Sequence, residues 1–435
     1  MSITQDAAQV MRLEQENQRL RRALEELAVL NEIATAISST LALNQIVELM
    51  VQKSVKHLKV EQAAVMLLDE QKSENPFQTM VRRGDTSSDI LPFRLNTQLT
   101  GWMLKNQRPL IVNDFQKDER FKGLQGENFP IQSLLSVPLT SKGRMIGIIN
   151  VFNKKAKEGF GPEDQRLLAI IGTQSAQVLE NARLLEEEKT LMVMREEMRM
   201  ATDIQINLMP KEQPVYSGYD IAGKSIPAKE VGGDYYDFIP LKGDQHRLAF
   251  CLGDVTGKGL PAALLMSNIQ ATIRSQALIT GSPKDNMGNA NTLMFQSTSS
   301  EKFITMFYGI LDTQHHNLTY CNAGHDNPFL FSTNPEPNRL DKGGVVLGFV
   351  PQYPYAEETI ELAPGDRLVI YSDGVTEAKN EADEEFGEER LQQVILQNKN
   401  LSATELTDKI ISAVMEFAGS VPQGDDITVV VVGRR

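Results

Sequence analysis

The chain has 435 residues, which is too long for one ordinary hydrophobic core and suits two or three domains. Hydrophobic residues make up 41% and charged residues 23%, as in soluble globular proteins, and no apolar run approaches the ~18 residues of a membrane span. The net charge of −13 argues against a broad surface for nucleic acid or an anionic membrane, because both need clustered positive charge. With only Cys251 and Cys321, a disulfide framework or cysteine-based zinc site is excluded and a reducing, cytoplasmic setting is expected.

Residues 1–30 carry the heptad pattern of a coiled-coil helix. The a positions are Val10, Asn17, Leu24 and Asn31, and the d positions are Leu13, Leu20 and Leu27. Leucine at d with asparagine at a favours a parallel homodimer and sets its register. The alternative is a single amphipathic helix that packs on the next domain.

Residues 31–186 alternate helical and strand-like patterns. A helix is predicted around Ala42–Leu58, followed by a strand over Ala63–Leu68. Two further strands, Ser136–Leu139 and Met145–Phe152, flank Lys142-Gly143 and predict a hairpin. A long helix begins at Pro162, where acidic residues follow the proline. The pattern predicts an α+β sensor domain.

The long helix continues to about Leu208, ends before Pro210, and predicts a linker helix over residues 187–210. After it, residues 211–435 show many strand-like runs and few helices. The strands are expected at Leu248–Leu252, Phe307–Leu311, Leu318–Cys321, Arg367–Tyr371 and Ile427–Val432, and the helices at Ala262–Ala277, Glu388–Gln397 and Thr404–Phe417. The stretch Gly281–Asn291 is rich in Gly and Asn and is predicted to be a loop.

Four Gly-Asp or Asp-Gly turns lie beside apolar strands of this region. They are Gly232-Gly233-Asp234, Gly253-Asp254-Val255, Ser372-Asp373-Gly374 and Gly424-Asp425-Asp426. Each turn alone is common, but strand ends of one sandwich can place carboxylates together although they are far apart in sequence. Clusters with oxygen ligands only suit Mg²⁺ or Mn²⁺, whereas the five histidines show no zinc-binding spacing.

The chain contains, in this order, the segments GGDYYDF, GDVTGKGLPAALLM, CNAGHDNP, YSDGVTEA and GDDITVVVV. This ordered set closely resembles the bacterial SpoIIE-type branch of the metal-dependent protein phosphatases (PPM, type 2C), and ATDIQINLMP resembles the regulatory linker of that branch. The resemblance implies a phosphatase domain over residues 211–435, built as an α/β sandwich of two sheets flanked by helices, with a site for two Mn²⁺ or Mg²⁺ ions.

Carried across by motif, the resemblance implies that Asp254 bridges both metals, with the backbone carbonyl of Val255 beside it. Asp373 and Asp425 would hold the first metal and Asp234 the second, and Asp254 and Asp373 would be the catalytic residues. Two such cations can generate a hydroxide at neutral pH and hold the phosphoryl oxygens during in-line attack.

One position departs from the family pattern. Animal-type members carry a proposed general acid two residues after the bridging aspartate, where this chain has Thr256, so no general acid is named. His325 is expected to hold a loop. The roles of four further polar residues stay open: Asp237, Asp426 and the weak phosphate-binding candidates Lys229 and Lys258.

Four segments of residues 31–186 resemble a GAF domain, a small-molecule sensor with an antiparallel sheet and helices. They are Gly101-Trp102, Pro109–Asn113, SVPL at 136–139 and IGIINVFNK at 146–154. Asn153-Lys154 with Phe160 and Asp164 nearly fits the signature of cyclic-nucleotide-binding members, but Gln165 replaces its final Glu. For these residues, a structural role in bracing the fold is favoured over a role in binding a nucleotide. The GAF signal is expected to be an unknown small molecule or protein.

These features predict a dimeric phosphatase, gated by its GAF domain, for phosphoserine or phosphothreonine. By family analogy the substrate is an anti-sigma-factor antagonist in a partner-switching pathway. Two alternatives stay open. One is a catalytically silent scaffold that binds phosphoproteins. The other is an enzyme like the diguanylate cyclases. Those enzymes carry a GGDEF turn, and GGDYYDF resembles that turn but lacks its Glu-Phe.

Overall fold

The computed structural model describes isolated positions between residues 9 and 28, and then residues 43–68, 77–84, 97–115, 117–124, 131–241, 243–279, 281–298, 302–332 and 336–435. Most of the predicted coiled coil over residues 1–30 lies outside the described residues, so this coiled coil and its dimer stay predictions. The chain divides into two compact units, Met1–Met192 and Val193–Arg435, which are described separately. The boundaries predicted for the four segments stay predictions.

The first unit is built on a five-stranded antiparallel sheet with strand order β2-β1-β5-β4-β3. Its strands are β1 Val60–Leu68, β2 Phe77–Gly84, β3 Leu110–Val112, β4 Leu134–Ser141 and β5 Arg144–Lys154. Its helices are α1 Leu43–Leu58, α2 Thr97–Asn106 and the start of α3, Pro162–Leu208, and a 3₁₀ helix spans Glu119–Leu124. The predicted hairpin is present, and its turn residues Lys142 and Gly143 have φ angles of 48° and 81°, as a type I′ turn requires.

Each face of this sheet carries its own hydrophobic core. On one face, Ile149 and Val151 of β5 pack with Val47 of α1 and Leu168 of α3. On the other face, Ile148 and Phe152 of the same strand pack with Met103 of α2 and others. Successive residues of a strand point to opposite faces, so the unbroken apolar run of β5 serves both cores.

Helix α3 has 47 residues, and its part from Val193 onward belongs to the second unit. It begins where the sequence predicts, with Pro162 in the first turn and the acidic residues Glu163 and Asp164 beside it. Lys154 forms an ion pair with Asp164, and the Asp164 carboxylate also accepts a hydrogen bond from the Gly161 N–H at 2.9 Å. Lys154 and Asp164 therefore brace the start of the helix, whereas the Asn153 side chain bonds to Gln132 and Glu61.

The second unit contains two sheets. The first has the order β13-β10-β9-β8-β7, with β14 paired to β10, and the second has the order β12-β11-β15-β16-β6. The strands are β6 Tyr219–Ile226, β7 Tyr235–Pro240, β8 Arg247–Val255, β9 Ile304–Asp312, β10 Asn317–Ala323, β11 Phe329–Phe331, β12 Asn338–Arg339, β13 Gly343–Gly344, β14 Glu358–Glu361, β15 Arg367–Tyr371 and β16 Ile427–Arg434. The helices are α4 Leu260–Ala277, α5 Pro283–Ser297, α6 Asp373–Thr376, α7 Gly387–Gln397 and α8 Ala403–Ala418.

The two sheets pack face to face and helices cover their outer faces. Phe250 and Phe307 of the first sheet share a buried core with Ile370 and Val430 of the second. Helices α4 and α5 cover the first sheet, and α7 and α8 cover the second. The α+β class and the helix-flanked sandwich are therefore confirmed. Within the described ranges, every helix is too short or too polar to cross a bilayer.

The loop predicted over Gly281–Asn291 is wrong, because most of this stretch lies in α5. Ser282 caps the helix by accepting a hydrogen bond from the Asp285 N–H, and Pro283 occupies its first turn. Met287 and Met294 are buried against the first sheet. This apolar face outweighs the low helix propensity of Gly and Asn.

Candidate functional site

Four strand ends bring the predicted carboxylates to one end of the sandwich. Asp254 lies near the end of β8, and Asp234 directly precedes the antiparallel partner strand β7. Asp373 follows β15, and Asp425 and Asp426 directly precede its antiparallel partner β16. In each pair, the end of one strand lies beside the start of its neighbour, so one end of each sheet contributes two of the four segments. The turn predicted at Gly253-Asp254-Val255 is wrong, because β8 continues to Val255 and pairs with β9 over these residues.

The pKa values of the Asp254 and Asp373 carboxyls are both raised above the ordinary value of an aspartate. Burial, followed by the charges of Asp373 and Asp425, raises the pKa of Asp254 to about 7. Burial and then the Asp425 charge raise the pKa of Asp373 to about 6. Both shifts have the sign expected for carboxyls that are removed from water and repelled by neighbouring carboxylates, and a cation beside them would relieve that repulsion.

Asp234 is buried more deeply, with 3% of its surface exposed. Its Oδ2 accepts a hydrogen bond from the Thr428 hydroxyl at 2.5 Å. Burial, with the charges of Asp254 and Asp426, raises the pKa of Asp234 well above its ordinary value. The Asp234 carboxyl therefore favours its neutral form unless a cation lies beside it.

Asp425 lies at the open side of the cluster and is paired with a lysine. The Lys258 Nζ lies 2.8 Å from the Asp425 Oδ2 and donates a hydrogen bond to the Gly424 carbonyl at 2.5 Å. This side chain therefore places a positive charge beside the carboxylates. Among the described residues, no three His, Cys, Asp or Glu side chains converge closely enough to hold a metal ion as they stand.

Asp426 holds the loop that carries Asp234. Its carboxylate accepts hydrogen bonds from the backbone N–H groups of Ala228 at 2.7 Å, Gly233 at 2.6 Å and Asp234 at 3.2 Å. A Cβ at position 232 would overlap this carboxylate, so the glycine there is a requirement of close packing. Asp426 thus acts through its neighbours, whereas the adjacent Asp425 faces the cluster.

Asp237 lies apart from the cluster, where its buried carboxylate forms an ion pair with the half-exposed Arg274. Its carboxylate accepts hydrogen bonds from the Arg274 Nε at 2.7 Å and Nη2 at 3.0 Å, and from the Tyr235 hydroxyl at 2.6 Å. Arg274 belongs to α4, so the pair fastens this helix to β7. Its role, which the sequence leaves open, is to position these two elements.

The side chains of Thr256 and His325 both form hydrogen bonds within the protein. The Thr256 hydroxyl accepts a hydrogen bond from the Phe303 N–H at 3.1 Å. The His325 Nδ1 lies 2.9 Å from the Thr305 hydroxyl, and burial lowers the pKa of His325 to about 4. A neutral, buried imidazole is a poor proton donor at neutral pH, in agreement with the structural role expected for His325.

The last turns of α3 contact the Asp234 loop directly. The Gln205 side-chain amide donates to the Gly232 carbonyl at 2.7 Å and accepts from the Gly232 N–H at 3.0 Å. The Thr202 hydroxyl donates to the Glu230 carbonyl at 2.8 Å. The sequence places Gln205 within the linker motif, but its partner could not be found from spacing alone.

Comparisons with known proteins show which family the chain belongs to. The phosphoserine phosphatase RsbU of Bacillus subtilis is 32% identical to the chain over 256 residues, which cover 58% of this chain and 75% of RsbU. The chain belongs to the SpoIIE-type protein serine/threonine phosphatases. The family model described as stage II sporulation protein E (SpoIIE) matches residues 244–435. Protein IcfG of Synechocystis is 31% identical over 278 residues, 58% of this chain and 43% of IcfG.

This SpoIIE-type phosphatase also contains a GAF domain, whose family model matches residues 40–180. Among solved structures, the SiaA-PP2C domain of Pseudomonas aeruginosa aligns with a TM-score of 0.48 and 22% identity, covering 57% of this chain and 98% of that domain.

Proposed function

We propose that the chain uses two divalent cations, Mn²⁺ or Mg²⁺, to remove phosphate from phosphoserine or phosphothreonine. The observation that carries the proposal is the position of Asp254, Asp373 and Asp425 at one end of the sandwich, where burial, followed by repulsion from neighbouring carboxylates, raises the pKa of both Asp254 and Asp373. The donor set fits hard cations, since carboxylate and backbone carbonyl oxygens are the ligands that Mg²⁺ and Mn²⁺ prefer. Phosphate release in Mn²⁺, compared with release in EDTA, tests the proposal.

The proposed metal ligands are the residues assigned from the family motifs: Asp234, Asp254, Val255 through its carbonyl, Asp373 and Asp425. When bound, such a pair of ions activates water at neutral pH and neutralises charge on the phosphoryl oxygens. The chain itself contributes orientation. Asp426 holds the Asp234 loop, and the Lys258 ammonium supplies positive charge next to Asp425 that a phosphate dianion can share.

The proposed substrate is a phosphorylated anti-sigma-factor antagonist of a partner-switching pathway. Its support is the family membership and the 32% identity to an enzyme named for its action on phosphoserine. A panel of phosphoproteins from the same genome tests it. Failure to dephosphorylate any antagonist in that panel, with other phosphoproteins processed, would contradict the substrate assignment.

We further propose that the GAF domain gates the phosphatase through α3. The support is the reciprocal hydrogen bonding of Gln205 with Gly232, because a change in the helix would move the loop that carries Asp234. Two discrete positions of the helix end would then differ in their ability to complete the metal site. The Gln205 variant described in the Discussion tests this link.

A small molecule is the GAF signal that the first unit supports better than a protein. Asn150 and Ser136 face one another on β5 and β4 and are fully buried, and their side-chain polar atoms have no hydrogen-bond partner among the residues that the structure describes. Buried polar groups are normally paired, so these atoms are suited to a ligand that brings its own donor and acceptor. They lie on the face of the sheet that also buries Ile148 and Phe152.

The parallel homodimer and the cytoplasmic location stay proposals. The support for the dimer is the heptad pattern with asparagine at Asn17 and leucine at Leu13 and Leu20. A monomeric mass for the full chain in light scattering would contradict it. The support for the location is the low cysteine content, and recovery of the protein outside the cytoplasmic fraction would contradict it.

A further inference from the structure

A groove of about 500 Å³ lies beside the carboxylate cluster. The C-terminal half of α8, the turn that follows it and the region of α6 form its walls. Its volume falls within the ~300–1,000 Å³ that ligand sites commonly have. Apart from Asp425 and Lys258, the residues that line the groove take no part in the chemistry proposed above.

Most of the groove wall is apolar. Val414, Met415 and Ala418 line it from α8, and Val421 and Pro422 line it from the following turn. Met415 keeps 44% of its surface exposed, although it lies on a helix whose inner face is well packed. Apolar side chains exposed in a concave surface are typical of binding sites, and methionine adapts its shape to different partners.

The groove is continuous with the carboxylate cluster. Asp425 and Lys258 line both the groove and the small cavity at Gly232 and Gly233. Gly374, directly after Asp373, also forms part of the groove wall. An extended peptide advances ~3.3 Å per residue, so a substrate whose phosphate lies at the carboxylates places its neighbouring residues at this groove.

The charges in the wall favour an apolar over an acidic occupant. Lys258 is paired with Asp425 at 2.8 Å, and Lys379 is paired with Asp383 at 3.0 Å. Each lysine is therefore shared with a carboxylate of the protein, which leaves less of its charge for an acidic side chain of an occupant. Glu377 adds a negative charge to the same wall, which would repel an acidic side chain.

We propose that this groove binds the segment of the phosphoprotein substrate next to its phosphorylated residue and selects an apolar side chain there. The inference rests on the proposed function, since it assumes that the phosphate is processed at the carboxylate cluster. Binding in the groove is separate from the chemical step. Loss of the groove should therefore raise KM for a peptide substrate and leave the turnover of a substrate without a peptide unchanged.

The test uses the full chain in Mn²⁺ and four probes: p-nitrophenyl phosphate and three phosphoserine peptides of one length. The peptides carry leucine before the phosphoserine, leucine after it, or glutamate on both sides. The variants are Met415→Glu and Met415→Leu, with Leu293→Glu as a control, because Leu293 is 41% exposed on α5 and lies outside the groove. Thermal unfolding of each variant verifies that it folds as the unmodified chain does.

The unmodified chain is expected to favour one leucine peptide over the glutamate peptide by about tenfold or more in kcat/KM. Met415→Glu should remove this preference through KM, Met415→Leu should keep it, and Leu293→Glu should match the unmodified chain. All variants should hydrolyse p-nitrophenyl phosphate equally. Equal kcat/KM for all three peptides, or a similar loss for peptide and p-nitrophenyl phosphate in Met415→Glu, would overturn the groove assignment alone. Absence of turnover of every probe by the unmodified chain would overturn the proposed function as well.

Discussion

Gln205 and Gly232 hydrogen-bond to one another twice, through the side-chain amide of the first and the backbone of the second. Gln205 belongs to the last turns of α3, and Gly232 lies two residues before Asp234. The pair therefore joins a helix end to the loop of a proposed metal ligand. The Gln205 side chain and the Gly232 backbone are both buried. Removal of the Gln205 amide therefore leaves the Gly232 N–H and carbonyl without a hydrogen-bond partner.

Gln205→Leu is expected to lower the phosphatase activity of the full chain by roughly tenfold or more, because two buried backbone groups lose their partner. The Mn²⁺ concentration needed for half-maximal activity should rise, since the Asp234 loop is no longer held. Asn207→Leu is the control, because the Asn207 side chain is exposed and donates to the Asp203 carbonyl of its own helix. Identical Mn²⁺ titrations for Gln205→Leu and Asn207→Leu would contradict the proposed link.

Substitutions of the neighbouring residues Asp425 and Asp426 should differ in effect, the first acting mainly on activity and the second on stability. Asp426→Ala leaves three backbone N–H groups without their acceptor and should lower the free energy of unfolding by about 3 kcal/mol or more. Asp425→Ala removes an ion pair whose side chains are 36% and 47% exposed, so stability should change by about 1 kcal/mol or less while activity is lost. Calorimetry of both variants in EDTA, with phosphate-release assays in Mn²⁺, measures the two effects. Equal destabilisation by both substitutions would contradict these assignments.

Stabilisation of the protein by Mn²⁺ should grow with pH. The pKa of Asp254 is raised to about 7 and that of Asp373 to about 6, so between pH 4 and 7 the metal-free folded state holds protons that the unfolded state has released. For these two groups, stability without metal rises as pH falls, and protons compete with the cation for the same oxygens. The melting temperature should therefore increase more on adding Mn²⁺ at pH 8 than at pH 5.5. Equal increases in melting temperature at both pH values would contradict the assignment of Asp254 and Asp373 as metal ligands. So would an Asp254→Asn variant whose melting temperature responds to Mn²⁺ as that of the unmodified chain does.

In the GAF domain, Asn150→Leu is expected to raise the free energy of unfolding by about 1–2 kcal/mol, because it replaces buried polar atoms that lack partners. Asn153→Leu on the same strand is the matched comparison. The Asn153 side chain accepts from the Gln132 N–H and donates to Glu61, and its φ angle of 55° disfavours leucine. It should therefore be destabilising. If both variants lose stability, Asn150 is satisfied in the protein and the proposed ligand site is excluded.

Much of the second unit could be predicted because its strands are apolar runs that end in turn residues. Arg367–Tyr371 is found as β15 with the predicted bounds, and the C-terminal ends of such runs locate Asp254 and Asp373. Helix α5 could not be predicted, since its Gly and Asn residues favour turns and only burial against the sheet makes it helical.

The division of roles among the aspartates also depends on the folded chain. Asp425 and Asp426 are adjacent in one motif, but their partners differ. Asp425 pairs with Lys258, and Asp426 accepts hydrogen bonds from the Asp234 loop. Asp237 pairs with Arg274, 37 residues away, at a distance in sequence that no local pattern reveals. Sequence spacing therefore located the carboxylates, and tertiary contacts distinguish those that face the cluster from those that hold it in place.

The most direct test of the account is phosphate release from a phosphoserine protein by the full chain, measured in Mn²⁺ and in EDTA, alongside Asp254→Asn and Asp373→Asn. We expect turnover in Mn²⁺ that EDTA abolishes, and a loss of at least about a hundredfold in each variant, since each removes a proposed ligand of the same site. Turnover that persists in EDTA, or full activity in either variant, would contradict the account. A chain that binds the phosphoprotein without releasing phosphate would instead be a silent scaffold.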